Sequence, residues 1–84
     1  MNDETPGQPE IPAEVAWLRR DGFSPIRAWR EHLGVSREEL ALRLGASPPA
    51  VAQLEAAKAR PRAATLKKVA AALGVSWELL REDG

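Results

Sequence analysis

Basic side chains are the residues of this chain best suited to chemistry, and they are concentrated in its middle. Between residues 23 and 70, nine lysines and arginines stand against four glutamates, a net charge of +5. Residues 1–22 carry −3 and residues 71–84 carry −2, so the whole chain is neutral. The nine basic residues are Arg27, Arg30, Arg37, Arg43, Lys58, Arg60, Arg62, Lys67 and Lys68. Contact with phosphates requires such a segregated basic segment, although each charge alone also fits a solvated helix face.

Residues for other chemistries are missing or isolated. The chain has no cysteine, which excludes disulfides and thiolate metal sites and is typical of a reducing compartment. His32 is the only histidine and has no second ligand near it in the sequence, so we expect an exposed side chain, no metal site and no cofactor. The sequence contains no catalytic triad, carboxylate pair or glycine-rich phosphate loop, so we do not expect an enzyme.

The N-terminal residues carry no signal for export or membrane insertion. No apolar run approaches the roughly 20 residues that span a bilayer, and the first ten residues are acidic where a signal peptide is basic. We therefore expect a cytoplasmic protein without membrane contact. Residues 1–10 contain three acids and two prolines, and we expect them to be a disordered acidic tail.

The elements that position the basic residues are clearest between residues 36 and 55. Ser36 and Glu39 have the spacing of a capping box, which predicts a helix that begins at Ser36, and Gly45 ends that helix. Ser47, followed by a proline, predicts the start of a second helix. Two short helices so close in sequence must cross at a large angle and share one core. This is the helix-turn-helix layout, which inserts its second helix into the major groove of DNA.

Similar serine, proline and glycine signals divide the rest of the chain into helices. They predict helices over residues 12–20, 25–33 and 63–73, and a short last helix capped by Ser76. In the second of these, Ile26, Arg30 and Leu33 are spaced to lie on one inward side. No segment alternates with period two, so the predicted fold class is all-α.

Three sequence segments resemble a known protein family. They are GVSREELALRLGASPPAVAQLE, the RP that follows, and LKKVAAALGVSWELL. Over residues 23–80 they are similar to the helix-turn-helix domain of the phage repressor and Cro class, the Xre family. The resemblance implies a five-helix lambda-repressor-like DNA-binding domain over residues 23–84, preceded by an extra N-terminal helical extension over residues 11–22.

A narrower likeness lies upstream of that motif. IPAEV and SPIRAWREHLG are similar to single-domain antitoxins of the HigA kind, which are encoded beside RelE- or ParE-like toxins. This likeness implies an antitoxin of a type II toxin-antitoxin module that represses its own operon and binds a toxin. The alternatives are a stand-alone phage-type repressor, or a protein-interaction module with weak DNA binding.

The Xre resemblance assigns DNA contacts to two helices and a loop. Arg37 occupies a position at which these proteins usually place a glutamine that bonds a phosphate, although a solvated first-turn residue also fits. The helix after Ser47 is implied to lie in the major groove, and the loop after it approaches the minor groove. The residues implied to contact DNA are Arg37, Ser47, Pro48, Pro49, Ala50, Gln53, Lys58, Arg60 and Arg62.

Two sites depart from the family pattern. Pro48 and Pro49 stand where hydrogen-bonding side chains are common, and they either contact a thymine methyl group or stiffen the start of the helix. Gln53 remains able to pair with adenine. Ala56 and Ala57 replace the usual Asn-Gly, which predicts either a tighter turn or a longer helix.

Arg30 and Glu55 have a structural role in the family pattern. The resemblance implies a largely buried ion pair between them, which orients the helices. Removal of one partner from such a pair typically costs about 3–5 kcal/mol, so we expect the loss of either residue to affect folding before DNA affinity.

The three tryptophans and their neighbours are candidates for packing or for interfaces. Trp77, with Val75 and Leu80, is predicted to lie in the core or at a homodimer seam, because related domains associate there. Such a dimer is expected to bind an inverted-repeat operator in double-stranded DNA. Trp17 and Trp29 either pack the N-terminal helix onto the domain or form an exposed contact for a protein partner.

Overall fold

Five α-helices and one short 3₁₀ helix make up residues 11–82, the part of the chain that this computed structural model describes. They are α1 (Ala13–Arg20), α2 (Pro25–His32), α3 (Arg37–Leu44), α4 (Pro48–Leu54), α5 (Ala63–Leu73) and the 3₁₀ helix (Trp77–Leu80). Residues 11–82 contain no β-strand, so the all-α prediction is confirmed. Across the same residues, no helix is long and apolar enough to pass through a bilayer. The predicted disordered tail, residues 1–10, lies outside the described residues.

Serine side chains set the starts of three helices. In each case the serine hydroxyl oxygen accepts a hydrogen bond from the backbone N–H three residues later. The distances are 3.2 Å for Ser24 and Arg27, 3.0 Å for Ser36 and Glu39, and 3.2 Å for Ser47 and Ala50. Proline takes the first position of α2 and of α4, where a missing N–H leaves no bond unmade. The predicted starts of α2, α3 and α4 are confirmed.

The capping box predicted at the start of α3 is only half formed. Ser36 is the N-cap, but the Glu39 carboxylate accepts a hydrogen bond from Arg43 Nε at 3.0 Å. This pair has i,i+4 spacing on the exposed side of α3. The prediction that Glu39 bonds back to the cap is therefore wrong, because the arginine one turn later offers a charged donor.

A glycine ends α3 and opens the turn of the motif. Gly45 has φ of +66°, a left-handed conformation that costs other L-residues about 1–2 kcal/mol. The N–H of Ala46 then bonds back to the carbonyl of Ala41 at 2.9 Å, and α4 begins at Pro48. The end of α3 is thus where the glycine predicted it.

All six elements contribute to one apolar core. Its most buried large side chains, one from each element, are Val15, Ile26, Leu40, Val51, Val69 and Leu80. Within it, α3 packs against α4 and α5, while α2 packs against α5 and the 3₁₀ helix. The N-terminal extension therefore shares the core of the domain that follows it.

Two predictions about the end of α2 are wrong. His32, predicted to be exposed and isolated, is half-buried, with Nδ1 2.7 Å from Glu14 Oε1 on α1. Its ring also meets Trp29 edge-on, with 5.8 Å between centroids. Leu33, predicted to lie inward, is 42% exposed. It is the C-cap of α2, and its N–H donates to the carbonyl of Trp29 at 3.0 Å.

The last element is a single turn of 3₁₀ helix, and Ser76 does not cap it as predicted. The Ser76 hydroxyl donates to Glu78 Oε1 at 2.8 Å, so its side chain is engaged by a carboxylate rather than by a backbone N–H. The turn nevertheless directs Leu80 into the core.

Candidate nucleic-acid interface

The helix α4 has one side in the core and the other in solvent. Val51 is fully buried, and Leu54 is half-buried beside it. Pro49 and Gln53 are exposed and lie one helical turn apart on the opposite side, with the half-buried Ala50 between them. We call Pro49, Ala50 and Gln53 the outer face of α4. The packing of the helix thus gathers three of the predicted base-contacting residues on one surface.

A surface groove of about 430 Å³ separates α4 from the loop that follows it. Ala50 and Gln53 line the helix side of the groove, and Ala59, Arg60 and Pro61 line the loop side. The groove therefore places the Gln53 amide, which both donates and accepts hydrogen bonds, beside the charged side chain of Arg60.

The loop after α4 is a tight turn rather than a continuation of the helix. α4 ends at Leu54, and the N–H of Ala59 donates to the carbonyl of Ala56 at 3.0 Å. Of the two alternatives for the Ala56-Ala57 sequence, the structure has the tight turn. The predicted DNA-contacting side chains of this loop are all exposed, and they are Lys58, Arg60 and Arg62.

A buried ion pair joins α2 to the residue that follows α4. Arg30 and Glu55 are both more than nine-tenths buried. Arg30 donates to the Glu55 carboxylate from both Nε and Nη2, the second bond measuring 3.3 Å. Arg30 Nη1 donates to the carbonyl of Val35 at 2.8 Å. Charge-assisted bonds of this kind fix the orientation of α4 relative to α2.

Arg37 shares the same carboxylate, a contact that the sequence does not predict. Its Nε donates to Glu55 Oε1 at 2.9 Å, while part of its side chain stays exposed at the start of α3. We call Arg30, Arg37 and Glu55 the Glu55 cluster, and two guanidinium groups on one carboxylate give it a net charge of +1. No local pattern connects residues this far apart in sequence, since only the crossing of α3 and α4 brings them together.

Several basic residues of the middle segment are engaged within the protein. Arg43 donates from Nη1 to the carbonyl of Ala72 at 2.9 Å and from Nε to Glu39, so it ties α3 to α5. Arg27 donates to Glu31 at 3.1 Å within α2. Fewer side chains are therefore available to phosphates than the net charge of the segment indicates.

The residues predicted for a dimer seam have unequal exposure. Leu80 is only 1% exposed and belongs to the core of its own domain, the first of the two predicted alternatives. Val75 and Trp77 are half-buried. The Trp77 ring lies beneath two cations, with its centroid 5.1 Å from Lys67 Nζ and 5.4 Å from Arg81 Cζ, the geometry of cation–π contacts.

The two N-terminal tryptophans have opposite environments. Trp29 is 6% exposed and belongs to the same core as Val15 of α1, the helix that packs against α2. Trp17 on α1 is 59% exposed. The packing alternative is therefore correct for Trp29, and only Trp17 is accessible to a protein partner.

Comparison with known proteins agrees with this architecture. The family HTH_3, described as helix-turn-helix, matches residues 26–80, which extend from α2 to the 3₁₀ helix and leave α1 outside. The match confirms the resemblance to the Xre family. No curated protein and no solved structure matches the chain.

Proposed function

The chain belongs to HTH_3, a helix-turn-helix family of DNA-binding transcription regulators, and we propose that it acts as a dimeric repressor on an inverted repeat. The observation that carries the proposal is the outer face of α4, where Gln53 and Arg60 border one groove. One helix with so few polar side chains selects a site poorly. Two copies on half-sites about one helical turn, ~10 bp, apart supply the missing specificity.

The contacts divide between phosphates and bases. Arg37 lies at the start of α3 and carries a positive charge. The first turn of a helix also presents N–H groups that are unbonded within the helix, and both features suit a phosphate. The loop cations Lys58, Arg60 and Arg62 suit the backbone or the minor groove beside α4. Gln53 is the side chain on the outer face that can pair bidentately with adenine.

The first test is the salt dependence of binding to the duplex that lies upstream of the gene. Each phosphate that the protein neutralises steepens the plot of log K against log salt by about 0.9. Arg37→Ala is expected to lower the slope by about that amount, as measured by fluorescence anisotropy over a salt series. The matched control is Arg20→Ala, an exposed arginine on α1, which leaves the slope unchanged. The absence of any binding at low salt would refute the repressor proposal.

The second test is the symmetry of the complex. We expect footprinting to protect two half-sites related by a dyad and sedimentation to give two protomers per duplex. Val75 and Trp77 are the proposed dimer contacts, because each is only half-buried in the single chain and part of its surface is accessible to a second copy. A single unsymmetric half-site occupied by one protomer would contradict the dimer.

We propose further that the chain is an antitoxin that represses its own operon and binds a RelE- or ParE-like toxin. The support is the HigA-like sequence around α1 and the indole of Trp17, which is exposed on a helix outside the matched family region. Tryptophan is enriched among the residues that anchor protein interfaces. A repressor domain alone has no need of an exposed indole at this position.

Co-expression with the product of the adjacent reading frame tests the antitoxin role. A point substitution is preferable to a truncation, because α1 contributes Val15 to the core. We expect the full chain to protect cells and to co-purify with the toxin, and Trp17→Ser to do neither. Leu42→Ser changes an exposed apolar residue on α3 and is the matched control that retains protection. Equal protection by both variants would refute the role of Trp17 in toxin binding. No protection by the full chain would leave a stand-alone repressor.

A further inference from the structure

The first turn of α4 offers no backbone hydrogen-bond donor to a ligand. Pro48 and Pro49 have no N–H, and the N–H of Ala50 donates to Ser47 Oγ at 3.2 Å. The first turn of an α-helix normally leaves such groups unbonded within the helix. In α4 the N–H groups of these three residues are either absent or already used, which leaves the N–H of the cap residue, Ser47, as the nearest backbone donor at this end.

The side chains of the outer face are equally restricted. Pro49 is exposed and Ala50 is half-buried, and neither carries a polar side-chain atom. The next residue of this face is Gln53, one turn later, whose amide is exposed beside the groove. The outer face is therefore apolar at one end and carries one amide at the other.

We propose that this face recognises the C5-methyl group of thymine through Pro49 and Ala50, beside an adenine paired with Gln53. The inference rests on the proposed repressor function and specifies the kind of half-site that the repressor binds. The thymine methyl is the apolar group that a base pair displays in the major groove. Guanine and cytosine display acceptors and an amino donor at the same place, and an apolar surface would bury them without a partner.

The helix geometry sets the spacing of the two contacts. Pro49 and Gln53 are four residues apart on α4, a rise of about 6 Å. Successive base pairs are about 3.4 Å apart along the DNA axis. The thymine is therefore expected one or two base pairs from the adenine, and the half-site is expected to be rich in A·T pairs.

Uracil substitution is the direct test, because it removes the methyl group and leaves base pairing intact. Full-length protein is used to select binding sites from a pool of random-sequence duplexes, and the selected duplex is remade with uracil at single thymines. Loss of one contacted methyl group is expected to weaken binding about fourfold. Uracil outside the footprint is expected to have no effect, which controls for general changes in the duplex.

Two variants assign the methyl contact to its side chain. Pro49→Ala removes the proline ring. At one thymine of the half-site, this variant is expected to bind the thymine duplex and the uracil duplex with nearly equal affinity. Gln53→Ala is expected to weaken binding and to lose the adenine preference, while the thymine-to-uracil ratio is retained. Circular dichroism checks that both variants keep their helices, which is expected because both residues are exposed.

The outcomes separate this inference from the function on which it rests. Binding that is indifferent to uracil throughout the footprint, or a selected half-site dominated by G·C pairs, overturns the methyl contact and leaves the repressor intact. Equal thymine-to-uracil ratios in Pro49→Ala and the unmodified chain overturn the assignment to Pro49. The failure of the selection to yield any bound duplex at low salt overturns both proposals.

Discussion

The two helices of the motif begin in the same way and present different chemistry. α3 is capped by Ser36 and α4 by Ser47, and each hydroxyl accepts an N–H bond from the third residue after it, at 3.0 and 3.2 Å. After the cap, α3 continues with Arg37 and Glu38, whereas α4 continues with two prolines. The first residues of α3 are therefore polar and charged, while the first two residues of α4 are apolar and have no N–H.

This difference shows that the N-cap residue and the two residues after it have separate roles. The cap determines where a helix begins, because it satisfies one N–H at a fixed distance along the chain. The two residues after it determine what that end can bind. The start of α3 suits a phosphate and that of α4 suits an apolar group on a base.

The two helix starts also differ in what holds them in place. Arg37 is tied to Glu55, which is itself held by the buried Arg30. The prolines of α4 make no such bond and are held by the stiffness of their rings.

Removal of the carboxylate at the centre of the Glu55 cluster is expected to have the largest effect. Glu55→Gln leaves the buried Arg30 with only the more distant carboxylate of Glu31, at 3.6 Å, and should lower the free energy of unfolding by about 3–5 kcal/mol. Urea denaturation followed by the fluorescence of the buried Trp29 measures this loss. The control is Glu39→Gln, whose exposed carboxylate pairs with Arg43 on α3 and which should cost less than about 1 kcal/mol. Equal losses in the two variants would show that the cluster does not anchor the fold.

Side-chain substitutions on the two helices should separate sequence-specific from general binding. Gln53→Ala is expected to cost about 1–3 kcal/mol on the preferred duplex and little on random DNA. Arg37→Ala is expected to weaken binding to both duplexes by the same factor. Competition titrations with the two duplexes give the specificity ratio of each variant. If both variants change that ratio equally, the proposed assignment of phosphate contacts to α3 and base contacts to α4 is wrong.

The turn between the two helices depends on one backbone conformation. Gly45→Ala is expected to lower stability by about 1–2 kcal/mol, through the cost of positive φ. The added Cβ would meet no atom within 4 Å, so the cost is conformational rather than steric. Gly45→Asn should cost less, since asparagine tolerates this conformation. Thermal unfolding compares the two variants, and equal losses would contradict a conformational origin.

The two serine caps are expected to contribute small and nearly equal amounts. Ser36→Ala and Ser47→Ala should each lower stability by about 1 kcal/mol, because each cap bonds one N–H in the same geometry. Ser76→Ala serves as the control, since the Ser76 hydroxyl bonds a carboxylate and caps no helix. Urea denaturation measures the free energy of unfolding of the three variants. A much larger loss at Ser47 than at Ser36 would show that the prolines make α4 depend more on its cap.

Family resemblance indicated some contacts of the site that local patterns alone do not show. The Arg30 and Glu55 pair was expected from the Xre pattern, and the structure places its members in contact across 25 residues. The bond from Arg37 to the same carboxylate was not expected, because the family usually has a glutamine at that position. A charged guanidinium in place of an amide is able to pair with Glu55 as well as with a phosphate.

Most of the helix boundaries are predictable from the amino-acid sequence. Ser24, Ser36 and Ser47 start their helices and Gly45 and Gly74 end theirs, as their positions predict. These signals work at short range. A cap bonds an N–H three residues away, and a glycine accepts positive φ whatever surrounds it.

The burial of side chains and the contacts between distant residues depend on how the helices pack. The crossing of α3 and α4 joins Arg37 to Glu55 across 18 residues, and the packing of α3 on α5 joins Arg43 to the carbonyl of Ala72 across 29. The packing of α1 buries Trp29 and leaves Trp17 exposed. Such contacts depend on the crossing angles of helices around the shared core, and those angles are a property of the packed core as a whole.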